Sequence, residues 1–199
     1  MISLAGSGLN FEDIVIEQMS DQLRQQGVGE DDIRMQADWR RKIYAIAREP
    51  VDSVTAAKKL WEIHSQLSEE DIQRLNWPAG RQAFTISQIL SPWWRYSLGL
   101  DNRSLYMRIA CPVLAIFGEK DTQVKPLENS VIVEAALKEG GNGNFEVKLI
   151  PGLNHLFQTA ETGSEYEYVR IEETFSPDVL RLMRNWINAE PGETNDTLK

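Results

Sequence analysis

Two side chains capable of acid–base chemistry each follow the end of a strand-like run in this sequence. Asp121 lies in FGEKDTQV, four residues after Phe117, and His155 lies in LIPGLNHLFQ, five residues after Ile150. The 199 residues contain only two histidines. Parallel neighbouring strands align their carboxyl ends, so we expect Asp121 and His155 at the same rim of a sheet. A carboxylate paired with an imidazole fixes the imidazole tautomer and stabilises its protonated form.

Each of these residues also has a purely structural interpretation. An aspartate in a Gly-Glu-Lys-Asp turn is often only a turn former, and a loop histidine is often only hydrogen-bonded. Glu119, two residues before Asp121, is an alternative acid. His64 lies inside a helical stretch and is interpreted as a surface or core histidine. We favour catalysis for Asp121 and His155 because both follow the ends of strands.

Three strands are predicted, at residues 2–5, 112–117 and 145–150. The second is apolar throughout, as a parallel strand covered on both faces should be. A helical pattern at 126–138 joins the second strand to the third and completes a right-handed βαβ unit. A Ser-Pro-Asp start signal opens a last helix at 178–188. The predicted fold class is therefore α/β, with about three parallel strands and flanking helices.

The segment between the first two strands predicts a block of four or five helices. Apolar residues recur there at helical spacing, and Ser68-Glu-Glu-Asp71 is typical of a capping box. The predicted helices cover 11–26, 31–48, 54–67, a short turn after Ser68, and 82–90. Helical insertions at strand ends often form lids over sites.

The pattern divides the chain into four parts. Residues 1–10 are the first core strand and its loop, 11–95 a helical cap, 96–189 the core with the acid and histidine loops, and 190–199 a polar tail.

Composition excludes several classes of protein. A net charge of -9 argues against a nucleic-acid partner, because binding to phosphates needs concentrated Lys and Arg. Two distant histidines without metal-ligand spacing make a metal site unexpected. The single cysteine, Cys111, excludes an internal disulfide and is expected in the core. No run approaches the roughly 18 apolar residues of a membrane helix, and the N-terminus lacks the basic region of a signal peptide.

The amino-acid sequences of the two loops resemble those of one enzyme family. PVLAIFGEKDTQV and LIPGLNHLFQTAETGSEYEY, with the acid before the histidine, are similar to the C-terminal half of an α/β-hydrolase. LAGSG, SPWWRYSL and IEETFSPDVL extend the likeness over essentially the whole chain, toward bacterial EstD-like or dienelactone-hydrolase-like esterases. The resemblance implies a carboxylic ester hydrolase in which a serine attacks the ester, His155 transfers the proton and Asp121 orients His155. It implies no metal and no organic cofactor.

The resemblance also exposes a missing part. The family's nucleophile sits in a G-x-S-x-G motif, which this sequence lacks. The nearest candidate, Ser7 in AGSGL, has Ala5 and Leu9 where the outer glycines belong. We therefore expect the nucleophile to lie outside this chain, which alone should show little esterase activity. The chain is then either a piece of a longer enzyme or a short homologue that serves as a non-catalytic binding or assembly module.

Three further expectations concern the surface. Trp93 and Trp94 are candidates for lining an apolar acyl pocket under the cap, although packing within the cap is the favoured alternative. The first strand, from Ile2 to Ala5, has an open edge that invites pairing with another chain, such as a second copy. The expected partner of the intact enzyme is a small ester, with no membrane partner. The compartment is left open between bacterial cytoplasm and periplasm.

Overall fold

The structure is a computed structural model, and it describes residues 1–77 and 79–189. Three strands form one parallel sheet in the order β1 (Ile2–Leu4), β2 (Val113–Gly118) and β3 (Phe145–Ile150). Ile2 pairs with Leu114. The predicted mixed α/β class with three parallel strands is confirmed.

Nine α-helices lie within the described ranges. Six lie between residues 10 and 101: α1 (Phe11–Gln25), α2 (Glu30–Arg48), α3 (Ser53–Ser65), α4 (Glu69–Arg74), α5 (Gln82–Ile89) and α6 (Pro92–Leu98). The others are α7 (Asn102–Met107), α8 (Pro126–Glu139) and α9 (Pro177–Asn188), with 3-10 helices at Ala79–Arg81 and Glu165–Arg170. Ser68 caps α4 by accepting the Asp71 backbone N–H, as its capping-box pattern predicts.

The chain divides into two compact units. The sheet unit contains Met1–Leu9 and the chain from Asn102 onward, and the helical unit is Asn10–Asp101. Within the sheet unit, Asn102 Nδ2 donates a hydrogen bond to the Leu9 carbonyl at 2.7 Å. The two residues of the sheet unit that flank the inserted segment in sequence therefore lie side by side.

The sheet unit covers strand β2 on both faces, and all six of its residues are buried. Leu114 and Ile116 pack in one cluster with Val179 of helix α9. Val113, Ala115 and Phe117 pack in another cluster, which helix α8 completes. The alternation follows from the two-residue period of a strand, and it explains the apolar run in the sequence.

The helical unit has an aromatic core of its own. Trp39, Tyr44, Trp77 and Leu98 are buried in it. Because Leu98 belongs to this core, helix α6 stays in the helical unit. The helical unit consequently ends at Asp101 in the structure, and the cap bounds of 11–95 stay a prediction.

Three further sequence expectations concern Cys111, the C-terminal tail and membrane-spanning helices. Cys111 is exposed and not in the core, since it precedes the first residue of strand β2. The predicted polar tail at 190–199 lies outside the described residues. A search of the described part of the chain finds no helix with the length and apolar character needed to cross a membrane.

Candidate active site

Asp121 and His155 lie together at the carboxyl end of the sheet. His155 Nδ1 is 2.8 Å from Asp121 Oδ2. The Asp121 side chain is 0% exposed, whereas the His155 side chain is 27% exposed. A carboxylate can only accept, so the imidazole proton lies on Nδ1 and Nε2 is left as an acceptor. We call this pair the dyad.

Backbone groups hold the second oxygen of Asp121. Gln123 N donates to Oδ1 at 2.8 Å, and Val124 N donates to the same oxygen at 2.9 Å. Both donors belong to the loop between strand β2 and helix α8, here called the acid loop (residues 119–125). Because these two bonds fix Oδ1, the position of Oδ2 is fixed as well, and Oδ2 faces His155 Nδ1.

A glycine brings the acid loop against the histidine loop (residues 151–159). A β-carbon added at Gly118 would lie 2.5 Å from the Leu153 carbonyl oxygen and 2.6 Å from that of Asn154. The close approach allows Lys120 N to donate to the Leu153 carbonyl at 2.9 Å. Both dyad residues are therefore positioned by one contact between two loops.

The histidine loop is held from within by a buried amide. Asn154 is 0% exposed, and its Oδ1 accepts from Leu156 N at 3.0 Å and Gln158 N at 2.9 Å. Phe157 has a φ of 59° and packs its ring in the sheet-unit core. A left-handed phenylalanine costs conformational energy, which its burial offsets. The turn leaves His155 between two anchored residues.

The segment after the histidine loop lies against the acid loop. Lys120 Nζ donates to the carbonyls of Ala160 and Glu161, each at 2.8 Å. Thr122 Oγ1 donates to the Gly163 carbonyl at 3.1 Å. The residues on both sides of Asp121 therefore contact one stretch of the chain, which we call the 160–168 segment.

Tyr168 provides a further contact between the 160–168 segment and the acid loop, and the sequence did not predict it. Gln123 Nε2 donates to Tyr168 Oη at 2.9 Å. Burial raises the pKa of Tyr168, the Gln123 hydrogen bond opposes that rise, and the negative charge of Asp121 adds to it. Tyr168 lies in a short 3-10 helix without apolar periodicity, so no sequence pattern could single it out.

The alternative acid, Glu119, has a different partner. Glu119 Oε2 accepts from Gly152 N at 2.9 Å. It therefore fixes the start of the histidine loop, and Asp121 is the carboxylate that contacts His155.

Ser7 does not contact the dyad. Ser7 Oγ lies 2.6 Å from the Leu9 carbonyl and 3.2 Å from Asn129 Oδ1, and both are acceptors. Its hydroxyl proton is thus directed to one of these two acceptors and not to His155. Within residues 1–77 and 79–189, no serine hydroxyl bonds to His155 Nε2.

Trp93 and Trp94 lie in the helical unit. Their rings meet that of Phe11 edge to face, at centroid distances of 5.3 and 5.0 Å. Trp94 also packs against the helical core, whereas Trp93 is 62% exposed. The packing expected for these residues is thus present for Trp94, and the acyl-pocket role stays a prediction.

The second histidine is buried in the helical unit. Gln82 Nε2 donates to His64 Nε2 at 2.7 Å, and the rings of Trp61 and Trp77 flank the imidazole. Burial lowers the pKa of His64. The neutral ring is therefore a core component, as the sequence interpretation allowed.

No group of three or more His, Cys, Asp or Glu residues is placed to hold a metal in the part of the chain that the structure describes. A groove of about 390 Å³ on the sheet unit is lined by Glu119, Lys125, Pro126, Leu127, Glu128 and Leu149. Neither dyad residue lines it.

Comparisons with protein-family models, with curated proteins and with solved structures find no match for this chain. The interpretation of the site therefore depends on its own geometry.

Proposed function

We propose that the sheet unit supplies the acid and the histidine of a serine-type carboxylic ester hydrolase similar to the α/β-hydrolases. One observation carries the proposal: His155 Nδ1 lies 2.8 Å from the buried Asp121 carboxylate, and the His155 side chain is 27% exposed. This is the arrangement that a general base needs.

The chemistry follows from the two nitrogens. Nε2 removes the proton from a serine hydroxyl as the oxygen attacks the ester carbonyl. The imidazolium then gives that proton to the departing alkoxide, and a water repeats the sequence to release the acid. Asp121 stays ionised and stabilises the imidazolium at each stage.

The attacking serine is the part of the proposal that these residues do not supply. Ser7 directs its hydroxyl toward Leu9 and Asn129. The proposal therefore takes the nucleophile from outside this chain. We expect intact-mass spectrometry to show no adduct after the purified chain is treated with a fluorophosphonate probe. A one-to-one adduct that Ser7→Ala abolishes would contradict this part.

The dyad itself is tested with p-nitrophenyl acetate, which acylates exposed imidazoles. We expect slow release of p-nitrophenol that His155→Ala removes and Asp121→Asn lowers by about tenfold or more, because the carboxylate stabilises the developing positive charge. Glu119→Gln is the matched control, since this carboxylate contacts Gly152 instead. Equal rates in the wild type and His155→Ala would overturn the proposal.

A second candidate is a non-catalytic binding or assembly module with a hydrolase-like sheet. It is favoured by one observation, that no serine hydroxyl is hydrogen-bonded to His155 in the described ranges. In that case p-nitrophenyl acetate, the acyl donor, should react no faster with the wild type than with His155→Ala.

A further inference from the structure

The acid loop is hydrogen-bonded to both of its neighbours. Lys120, Thr122 and Gln123 direct their side chains to the 160–168 segment, whereas Asp121 between them directs its side chain to His155. The loop is thus fixed on two sides, and its geometry depends on both.

A chain of three hydrogen bonds connects Tyr168 to the imidazole. Tyr168 Oη accepts from Gln123 Nε2 at 2.9 Å, Gln123 N donates to Asp121 Oδ1 at 2.8 Å, and Asp121 Oδ2 accepts from His155 at 2.8 Å. We propose that Tyr168 is a positioning residue for the dyad, a role that rests on the function proposed above. It acts through Gln123 and touches neither substrate nor His155.

The reason lies in how Gln123 is held. Its backbone N–H supplies one of the two bonds that fix Oδ1, and its side chain is anchored by the tyrosine hydroxyl. Without that anchor, rotation of the Gln123 peptide weakens the bond to Oδ1. The carboxylate then rotates, and Oδ2 loses alignment with the Nδ1 proton of His155.

The surroundings of Tyr168 distinguish it from its neighbours on the same 3-10 helix. Tyr166 and Val169 are 78% and 91% exposed, whereas Tyr168 is half-buried and hydrogen-bonded. Tyr166 therefore provides a matched control that has the same chemistry, the same helix and no contact with the acid loop.

The test is an NMR measurement of the His155 tautomer. With ¹⁵N-labelled histidine the chain gives only two imidazoles, and His64 is buried. At about pH 8.5 an ordinary imidazole is neutral, and its two nitrogen shifts give the ratio of the Nδ1–H to the Nε2–H form. We expect Tyr168→Phe to lower this ratio by about two- to tenfold, as the loss of one hydrogen bond implies. Tyr166→Phe should leave it unchanged.

A second variant keeps the proposal testable if Tyr168→Phe fails to fold. Gln123→Ala alone should lower the same ratio. In the double variant the effects should not add, because both substitutions break one path. An unchanged ratio in Tyr168→Phe or Gln123→Ala, additive effects, or an equal change in Tyr166→Phe would overturn the positioning role.

The outcome is independent of any esterase activity. An unchanged tautomer ratio together with His155-dependent reaction of the acyl donor would remove the role of Tyr168 and leave the proposed function. A lowered ratio with no acyl reaction would keep the positioning effect and remove the function.

Discussion

The Asp121 carboxylate shows how a single residue can be held in one orientation. It is fully buried, and N–H groups of Gln123, Val124 and His155 donate to it. A buried charge is tolerated only when it is hydrogen-bonded and paired, so each of these donors also stabilises the fold.

Replacing Asp121 by asparagine should reverse the histidine tautomer. The amide oxygen can still accept from Gln123 N and Val124 N, which leaves the amide nitrogen facing His155. A nitrogen that donates forces His155 Nδ1 to accept, so the proton moves to Nε2. We expect ¹⁵N shifts of His155 to show the Nε2–H form in Asp121→Asn. Glu119→Gln should keep the wild-type form. If Asp121→Asn also kept it, Asp121 would not be the carboxylate that orients His155.

His64 should make the helical unit sensitive to acid. Burial lowers the pKa of His64, whereas the unfolded chain titrates near the ordinary value of about 6.5. Below that pH the unfolded state binds more protons, so stability is present above about pH 6.5 and is lost as the pH falls through the folded pKa. Urea unfolding at neutral and mildly acidic pH should show a smaller loss in His64→Gln than in the wild type.

The variant His155→Gln serves as the control for that measurement. It alters the other histidine and leaves His64 with Gln82. An identical pH dependence in the wild type and His64→Gln would show that the buried ring contributes nothing.

The proximity of Asp121 and His155 was predictable from their positions along the chain, whereas their catalytic role stays a prediction. Asp121 and His155 each follow a parallel strand, and the topology brings them to one rim. The sequence left Glu119 as an alternative because it lies in the same turn; the choice depends on which carboxylate meets the Gln123 and Val124 amides. The contact with Tyr168 was not predictable, since a tertiary hydrogen bond between two loops leaves no periodic pattern.

At the scale of elements, Gly118 joins the strand to both loops. Gly118→Ala would drive a methyl group into the carbonyls of Leu153 and Asn154, which are backbone atoms that cannot rotate away. We expect a loss of about 1–3 kcal/mol in the free energy of unfolding, together with loss of the Nδ1–H tautomer of His155. Chemical denaturation and NMR would measure the two effects.

Gly143→Ala is the matched control for this substitution. A β-carbon at Gly143 meets no atom within 4 Å, and this residue precedes strand β3 in the same unit. If both alanine variants unfold alike, the close loop contact is not what Gly118 provides.

The elements themselves were predicted unevenly. Strand β2 was evident because both of its faces are buried, and helix α8 because proline and glycines bound it. Helices α6 and α7 have only seven and six residues, too few for a periodic pattern to show. The predicted boundary at residue 95 consequently falls within α6, whose role in the helical core is a tertiary effect.

At the scale of the whole molecule, the sheet has two outer strands. Neither β1 nor β3 pairs with a further strand in the residues described. The β3 edge carries the Lys148–Glu146 ion pair, whereas β1 exposes Met1 and Leu4, at 45% and 42%. Charged side chains protect an edge from pairing, so β1 is the edge expected to associate.

We therefore predict concentration-dependent self-association through β1. Leu4→Lys should suppress it in analytical ultracentrifugation, because it places a charge on the unprotected edge. Leu149→Lys is the control, since Leu149 is similarly exposed, at 40%, on the other outer strand. A wild-type chain that stays monomeric at all concentrations would contradict the prediction.

The hydrogen bond from Asn102 to the Leu9 carbonyl bears on the order in which the molecule folds. Strand β1 can pair with β2 only after the chain has closed a loop over Asn10–Asp101. For a flexible chain of that length, closure costs about 4 kcal/mol of conformational entropy. A helical unit that folds first on its own core removes most of this cost, because it delivers Leu9 and Asn102 to each other already adjacent. Folding of the insertion would then precede completion of the sheet, and slowing it would delay the pairing of β1 with β2.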